Sequence, residues 1–420
     1  MTLGFDKSQH PTVQVAAALG EVSRRHVELN ERYGTHNYKP LPVVIAEGRG
    51  CWVTDVEGRR YLDMLSAYSA LNFGHNHPAI VDAVRTQLDR VTVTSRAFFN
   101  DQLGPFFKEL AELTGMDRVL PMNTGAEAVE TAIKTARKWA YQVKGVAPDR
   151  ARIIAFAGNF HGRTTTIVSF STDPLATTNF GPLTPGFDVV PYGDLAAVEK
   201  AVTGDTAAVL VEPIQGEAGV VLPPPGFLTG LRKLCTDRNV LLICDEIQTG
   251  LGRTGRTFAF EHEGVRPDVV TLGKALGGGL IPVSAVVGID AAMGVFKPGE
   301  HGSTFGGNPL AAAVGRKAIE LLRTTDLVER ARSLGDYFRG QLEALRSPIV
   351  QQVRGRGLLI GVQIKPEAGP ARPMCETLLH DGLLCKDTQK QVIRFAPPLI
   401  IERAEIDWAM ERIAVVLSGR

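Results

Sequence analysis

The chain lacks any Cys-x-x-Cys pair; its five cysteines, Cys51, Cys235, Cys244, Cys375 and Cys385, are scattered through 420 residues. Such spacing argues against a disulfide framework and suits a reducing compartment. An excess of charge of either sign is also missing. Lys and Arg number 46 against 45 Asp and Glu, a net charge of +1, so there is neither a basic stripe for nucleic acid nor an acidic tail. Long hydrophobic runs are absent as well. The longest uncharged apolar stretch, 275–289, carries three consecutive glycines and Pro282, and falls short of the ~20 residues a membrane span needs. Near the N-terminus, charges at Asp6, Lys7, Glu21, Arg24 and Arg25 leave no apolar core for a signal peptide. A cytoplasmic protein without nucleic-acid or membrane partners is therefore expected. No internal repeat or low-complexity segment is visible.

What is present is a chain 44% hydrophobic and 22% charged, long enough for two or three domains. Its middle alternates short apolar runs with helical patterns. The runs are RVLPMN (118–123), RIIAFAG (152–158), AAVLVEP (207–213), VLLICDE (240–246), DVVTLGK (268–274) and PVSAVVG (282–288). Most are rich in Val, Ile and Leu without polar alternation, as strands buried on both faces are, so a largely parallel α/β sheet is expected. Ligands of such sheets bind at the carboxyl ends of the strands. Asn123, Glu212, Asp245 and Lys274, which close four of these runs, would gather there. Beyond about 320 the texture becomes helix, strand GRGLLIGVQIK (355–365) and a final helix over 402–417. The expected division is an N-terminal segment 1–50 that packs with a small domain, a large domain 51–318 and a small α+β domain 319–420.

One stretch invites two readings. LLICDEIQTGLGRTGRT (241–257) joins an apolar strand ending in Asp245-Glu246 to Gly250-x4-Gly255-Arg256-Thr257, which resembles the two halves of a nucleotide hydrolase. Their order is reversed, Arg stands where the phosphate-binding Lys belongs, and no other Gly-x4-Gly-Lys-Ser/Thr occurs. Asp245 is better suited to keep a pyridine nitrogen protonated, although helix capping or Mg binding would also employ such an Asp. Lys274, at a strand end beside Gly277–Gly279, is a candidate Schiff-base amine; a solvated strand-end lysine is the plainer reading. NTGAEAVETAIKTARKWA (123–140) opens a helix on Thr124, Gly125 and Ala126, small residues that let an anion approach free N–H groups. GNFHGR (158–163) supplies Phe160, a ring to stack on a heterocycle, and Arg163, a carboxylate binder. EPIQGEAG (212–219) adds Glu217 in a glycine-framed loop. VIRFAPPL (392–399) sets Arg394 among apolar residues, where a guanidinium wants a carboxylate. In GHNHP (74–78), His75 and His77 have no further ligand nearby, so a structural turn is expected rather than a metal site.

Together these motifs resemble the class III pyridoxal-phosphate-dependent aminotransferases, from about residue 33 to 400. CDEIQTGLGRTG, DVVTLGKALGGGLIPVSAVVG and HGSTFGGNPL look like the family signature. The stretches YGTHNYKPLPV (33–43), DMLSAYSALNFGHNHP (63–78) and VTSRAFFND (93–101) are most similar to the branch that acts on ornithine with 2-oxoglutarate by a ping-pong route. The resemblance implies a fold-type I architecture and a homodimer, or higher even oligomer, with a shared active site. It implies that Lys274 binds pyridoxal 5′-phosphate covalently and shuttles the proton, that Asp245 pairs with the pyridine nitrogen, and that Gln248 reaches the ring hydroxyl. Phe160 and Ile247 would sandwich the ring. Gly125 and Ala126 would hold the phosphate, with Ser303 and Thr304 reaching it from the partner subunit. Tyr38 and Arg163 would bind the α-amino-acid end of ornithine, Tyr68 would favour ornithine over 4-aminobutyrate, and Glu217 paired with Arg394 would form a switch between the two substrates. No metal is implied. His161 departs from the animal members of that branch, which carry Trp. The neighbouring alternatives are the acetylornithine and 4-aminobutyrate branches, and an aminomutase that needs no external oxo-acid.

Overall fold

A computed structural model of the chain describes residues 19–419; the expected packing of residues 1–18 lies outside them. Helix α1 (Glu21–Tyr33) leads into the antiparallel strands β1 (Ile45–Arg49), β2 (Trp52–Asp55) and β3 (Arg60–Asp63). Helices α2 (Pro78–Leu88) and α3 (Leu103–Thr114) follow, then β4 (Arg118–Met122) and the long helix α4 (Gly125–Trp139). Next come β5 (Arg152–Phe156), β6 (Phe187–Val190), β7 (Thr206–Val211), helix α5 (Phe227–Asp237), β8 (Leu241–Asp245), β9 (Val269–Leu272) and β10 (Ser284–Gly288). After helices α6 (Pro309–Thr324) and α7 (Leu327–Ala344), the chain forms β11 (Val350–Arg356), β12 (Leu359–Ile364), helix α8 (Ala371–His380), β13 (Leu383–Leu384), β14 (Lys386–Thr388), β15 (Val392–Phe395) and helix α9 (Arg403–Leu417).

The central sheet has the order β4-β10-β9-β8-β7-β5-β6. It is parallel from β9 to β6, as the apolar runs predict. Strand β10 is the exception within this mostly parallel sheet: it runs antiparallel to both β9 and β4. The link over residues 273–283 is too short for the crossover that a parallel neighbour requires, so the chain can only turn back. The apolar pattern also gives no sign of β6, a four-residue edge strand with Asp188 inside it.

Strand side chains alternate between two cores. Leu242 and Cys244 of β8 join Val270 and Leu272 of β9 beneath α3, α5 and α6. Leu241 and Ile243 join Val269 and the Ala128–Val129–Ala132–Ile133 face of α4 on the other side. This period of two sends Asp245 to the α4 face, at the carboxyl edge of the sheet. A third core packs α7, α8 and α9 on the sheet β11-β12-β15-β14 and includes Cys51, Leu62, Met64 and Phe73. Strand β13 pairs in parallel with β3, so residues on both sides of the central sheet share one layer. The β1–β2 hairpin spans residue 50.

The Gly250–Thr257 loop lies between these layers and is anchored by Arg253. Its guanidinium is fully buried and donates to the carbonyls of Leu358 and Pro397 and to Asn72 Oδ1, at 2.9, 2.5 and 2.6 Å. Burial lowers its pKa to about 9, against the opposing charge of Asp63.

Candidate active site

The carboxyl ends of β7, β8 and β9 and the N-terminus of α4 border one cavity of about 220 Å³. Gly125, Ala126, Phe160, Glu217, Asp245, Ile247, Gln248 and Lys274 all line it. These are eight of the residues singled out from the sequence.

Helix α4 begins with a capping box: Thr124 Oγ1 accepts from the Glu127 N–H, and the Glu127 carboxylate accepts from the Thr124 N–H. The first-turn N–H groups of Gly125 and Ala126 have no intrahelical acceptor and stand at the positive end of the helix dipole. A Cβ on Gly125 would come within 3.1 Å of Ile247, and one on Gly162, at φ +131°, within 2.9 Å of Ala126. The missing side chains keep this anion seat open.

Asp245 is buried and receives three donors. Thr271 Oγ1 donates to Oδ1 at 3.0 Å, the Ile247 N–H to Oδ1 at 3.1 Å, and His161 Nδ1 to Oδ2 at 2.6 Å. Thr271 is the in-register partner of Asp245 on β9. Burial opposes protonation of His161, but the hydrogen bond to Asp245 and the charges of Asp245 and Glu212 outweigh it and raise its pKa. Glu212 ends β7 on the same cavity; burial pushes its carboxyl up to about 8, and it accepts from the Phe160 N–H at 3.1 Å.

Lys274 follows β9 in the left-handed region, at φ +43°. A lysine there is strained, and such residues cluster at functional sites. Burial lowers its pKa, against the opposing charges of Glu217 and Asp245.

On the other side, Glu217 Oε1 lies 2.6 Å from Arg394 Nη1 and accepts from Gln248 Nε2 at 3.1 Å. Burial raises the Glu217 pKa, but Arg394, with the Lys274 charge and the Gln248 hydrogen bond, outweighs this and the net shift is downward. Arg394 faces the site because Ile393 and Phe395, its neighbours on β15, enter the core of that sheet. The guanidinium also donates to the Gly216 carbonyl at 3.3 Å, its Nε is buried with no partner among the described residues, and its carbon sits 4.9 Å from the Tyr68 ring centroid. A Cβ on Gly216 would overlap Gln248 Oε1 at 1.4 Å, so a larger residue there would displace the Gln248 amide.

Tyr68 stands on an unusual turn. Ser66, Ala67, Tyr68 and Ser69 have φ of +51°, +45°, +62° and +73°, a conformation costing roughly 1–2 kcal/mol per residue for L-amino acids. Burial raises the pKa of its hydroxyl.

The remaining predicted residues do not line the cavity. Arg163 lies over Phe160 at 5.6 Å. Tyr38 is 72% exposed. Ser303 Oγ accepts from Asn123 Nδ2 at 2.8 Å, and Thr304 beside it is exposed. Sequence reasoning missed Thr271 as a member of the site and gave His161 and Glu212 no role. Glu212 was placed at the ligand edge by the end of its apolar run, whereas Thr271 lies inside a run whose register was not readable. Among the described residues no group of His, Cys, Asp and Glu could hold a metal ion.

An anion seat at a helix N-terminus, a carboxylate fixed at the sheet edge and a lysine with lowered pKa in one cavity fit a phosphorylated pyridine aldehyde. The family model described as Aminotransferase class-III matches residues 33–417, and the chain belongs to that family, with the fold-type I architecture. It is 55% identical over 397 residues to the ornithine aminotransferase of Bacillus subtilis (strain 168), covering 94% of this chain and 98% of that one. A solved ornithine aminotransferase from Toxoplasma gondii, with pyridoxal phosphate at partial occupancy in its active site, superposes with a TM-score of 0.93. It is 45% identical, covering 99% of this chain and 98% of that one. The acetylornithine aminotransferase of Elizabethkingia anophelis gives a TM-score of 0.86 at 46% identity, covering 94% and 98% of the two chains.

Proposed function

We propose that the protein transfers the δ-amino group of L-ornithine to 2-oxoglutarate, using pyridoxal 5′-phosphate. The products are L-glutamate and glutamate 5-semialdehyde, which cyclises to pyrroline-5-carboxylate. The observation that carries this reading is the Glu217–Arg394 pair at 2.6 Å, roofed by Tyr68 and opening on the cavity of Lys274. An enzyme that alternates between a terminal amine and an α-oxo-acid needs an arginine that can be withheld from one substrate and offered to the other.

When bound, pyridoxal phosphate supplies a carbonyl carbon that takes the amino group and a protonated ring that accepts the electron pair released by C–H cleavage. The chain's own residues then have distinct roles. Gly125 and Ala126 seat the phosphate with backbone N–H groups. Phe160 and Ile247 confine the ring, and Gln248 meets its hydroxyl. Asp245, immobilised by its three donors, holds the proton on the ring nitrogen. Lys274 would hold the cofactor through its amine, displacing the aldehyde oxygen as water, and would carry the proton between donor and acceptor carbons, a role its lowered pKa favours. Tyr38 and Arg163 grip the α-amino-acid end of ornithine. Glu217 neutralises Arg394 meanwhile, so the α-carboxylate is not captured at the wrong end. When the Glu217 side chain turns away, Arg394 receives the α-carboxylate of 2-oxoglutarate.

The proposal includes a homodimer in which Ser303, half-buried, and Thr304, exposed, complete the phosphate site of the second copy. It retains the division at residues 50 and 318, with the β1–β2 hairpin bridging the first border, and a cytoplasmic location. No helix among the described residues is long and apolar enough to cross a membrane.

The test is a half-reaction panel on the holoenzyme, read from the cofactor's absorbance. Ornithine is expected to react at least ~10-fold faster than acetylornithine, 4-aminobutyrate or lysine, a discrimination within reach of pocket contacts. The likeness to the Elizabethkingia enzyme makes acetylornithine the second reading, and its faster reaction would reassign the chain. Steady turnover without added 2-oxoglutarate would instead indicate an aminomutase.

A further inference from the structure

We propose that Asp63, backed by His75, is a positioning pair that holds the left-handed turn carrying Tyr68 and so sets the selectivity of the substrate end. The inference rests on the reading of Tyr68 as the residue that favours ornithine, and goes beyond it by naming what keeps Tyr68 in place.

The turn is closed by backbone hydrogen bonds from Tyr68 to the Leu65 carbonyl at 3.1 Å and from Ala70 and Leu71 to the Ser66 carbonyl at 2.9 and 3.1 Å, but its conformation is strained. Four successive residues, Ser66 to Ser69, have positive φ, and none is a glycine. Strained backbone persists only where its surroundings over-determine it. At the start of the turn, one oxygen of Asp63 supplies that constraint. Its Oδ1 accepts from the N–H groups of Leu65 and Ser66 at 2.8 and 2.9 Å. The other oxygen, Oδ2, lies 2.8 Å from His75 Nε2. An ionised carboxylate only accepts, so this imidazole nitrogen donates. The carboxylate is thereby fixed in rotation and aims Oδ1 at the turn.

His75 is itself fixed. Its backbone exchanges two hydrogen bonds with Gly50, at 3.0 and 2.8 Å. Its ring lies against Gly48, where a Cβ would approach to 2.8 Å. Gly74, at φ +80°, brings the chain so close to Gly50 that a Cβ would meet the Gly50 carbonyl at 2.9 Å. The GHNHP motif is thus absorbed by a support role, and His75 is occupied by Asp63. At the far end, Gln248 Nε2 reaches the Tyr68 carbonyl at 3.5 Å. The outcome is a phenol ring held 4.9 Å from the Arg394 guanidinium.

The experiment measures kcat/KM for ornithine and for 4-aminobutyrate in the holoenzyme, with cofactor absorbance per chain as a second readout. The variants are His75→Ala, His75→Gln, Asp63→Asn and, as reference, Tyr68→Ile. His75→Ala is expected to lower the ornithine-to-4-aminobutyrate ratio on the order of tenfold, as a displacement of about 1 Å at a reacting site can do, with cofactor retention unchanged. His75→Gln, which can still donate to Asp63, restores most of the ratio. Asp63→Asn, nearly isosteric, lowers it in the same direction and serves if His75→Ala does not fold. A ratio that moves with Tyr68→Ile but stays constant in His75→Ala and Asp63→Asn overturns the positioning role alone, even if both kcat/KM values fall together. A ratio that ignores Tyr68→Ile removes the selector reading and this inference with it.

Discussion

Asp245 and Glu217 are carboxylates on one cavity, yet they are held in opposite ways. Asp245 is 5% exposed and receives a hydroxyl, a backbone N–H and an imidazole, all from the central sheet or the loops that leave it. The side chain of Glu217 is 28% exposed, and its charged partner stands on a different sheet. The loop bearing it is gripped through its backbone, by Thr388 Oγ1 on the Glu217 carbonyl at 2.6 Å, while the carboxylate is held by the side chains of Arg394 and Gln248. The first arrangement suits a proton that must stay in one place throughout a reaction. The second suits a charge that must be withdrawn once per cycle. Immobility comes from donors of one sheet converging on a buried acceptor, and reversibility from side-chain contacts at a partly open edge.

The comparison can be broken at three levels. Lys274→Ala should abolish turnover by at least ~10⁴-fold, because both the covalent anchor and the proton carrier are lost. A borohydride-stable cofactor–protein adduct in that variant would show that another amine fills the role. Glu217→Ala exposes Arg394 to ornithine's α-carboxylate. The share of α-amino transfer among ornithine products should rise several-fold, up to the roughly tenfold preference a single contact can govern, and product analysis reads it directly. An unchanged product ratio would mean that Arg394 is not withheld by Glu217. Thr271→Val removes one of three donors to Asp245. It should cost about 1–3 kcal/mol of stability in a denaturant titration, as buried hydrogen bonds to charged groups do. The catalytic loss should be smaller than for the other two variants, since two donors remain. A turnover loss matching Lys274→Ala would show that the bed of Asp245 has no redundancy.

The two ends also differed in how far they could be read from sequence. Asp245 and Lys274 were legible because parallel strands are continuous apolar runs, and the polar residue that ends such a run sits at the ligand edge; Gly125 was legible as a small residue opening a helix, where free N–H groups meet an anion. Thr271 was not, because its role depends on the register of β9 against β8, which periodicity cannot supply. The reversed direction of β10 escaped for a related reason: its apolar run reads the same either way, and only the short link before it betrays the turn. At the substrate end, Glu217 and Arg394 were suggested as partners by family resemblance and by the cost of burying a lone guanidinium. Their separation by 177 positions in the chain hides the contact itself. The left-handed turn at Ser66–Ser69 was invisible because no glycine or asparagine marks it. The positive φ is imposed from outside, by Asp63 and the packing around it.

The reversal of β10 has a consequence for how the protein tolerates change. Ser284, its first residue, donates to the Thr124 carbonyl at 2.7 Å, and so ties the start of that strand to the cap of α4. The segment from Lys274 to Ser284 therefore behaves as a ruler, graduated at one end by the amine and at the other by the anion seat. Its three glycines, 277–279, let it fold tightly, and Gly278 and Gly279 turn in the left-handed region. An added or deleted residue there would alter the span between the two anchors while leaving every individual side chain intact. Lineages of this fold can be expected to vary freely in their surface loops and to keep the length of this one.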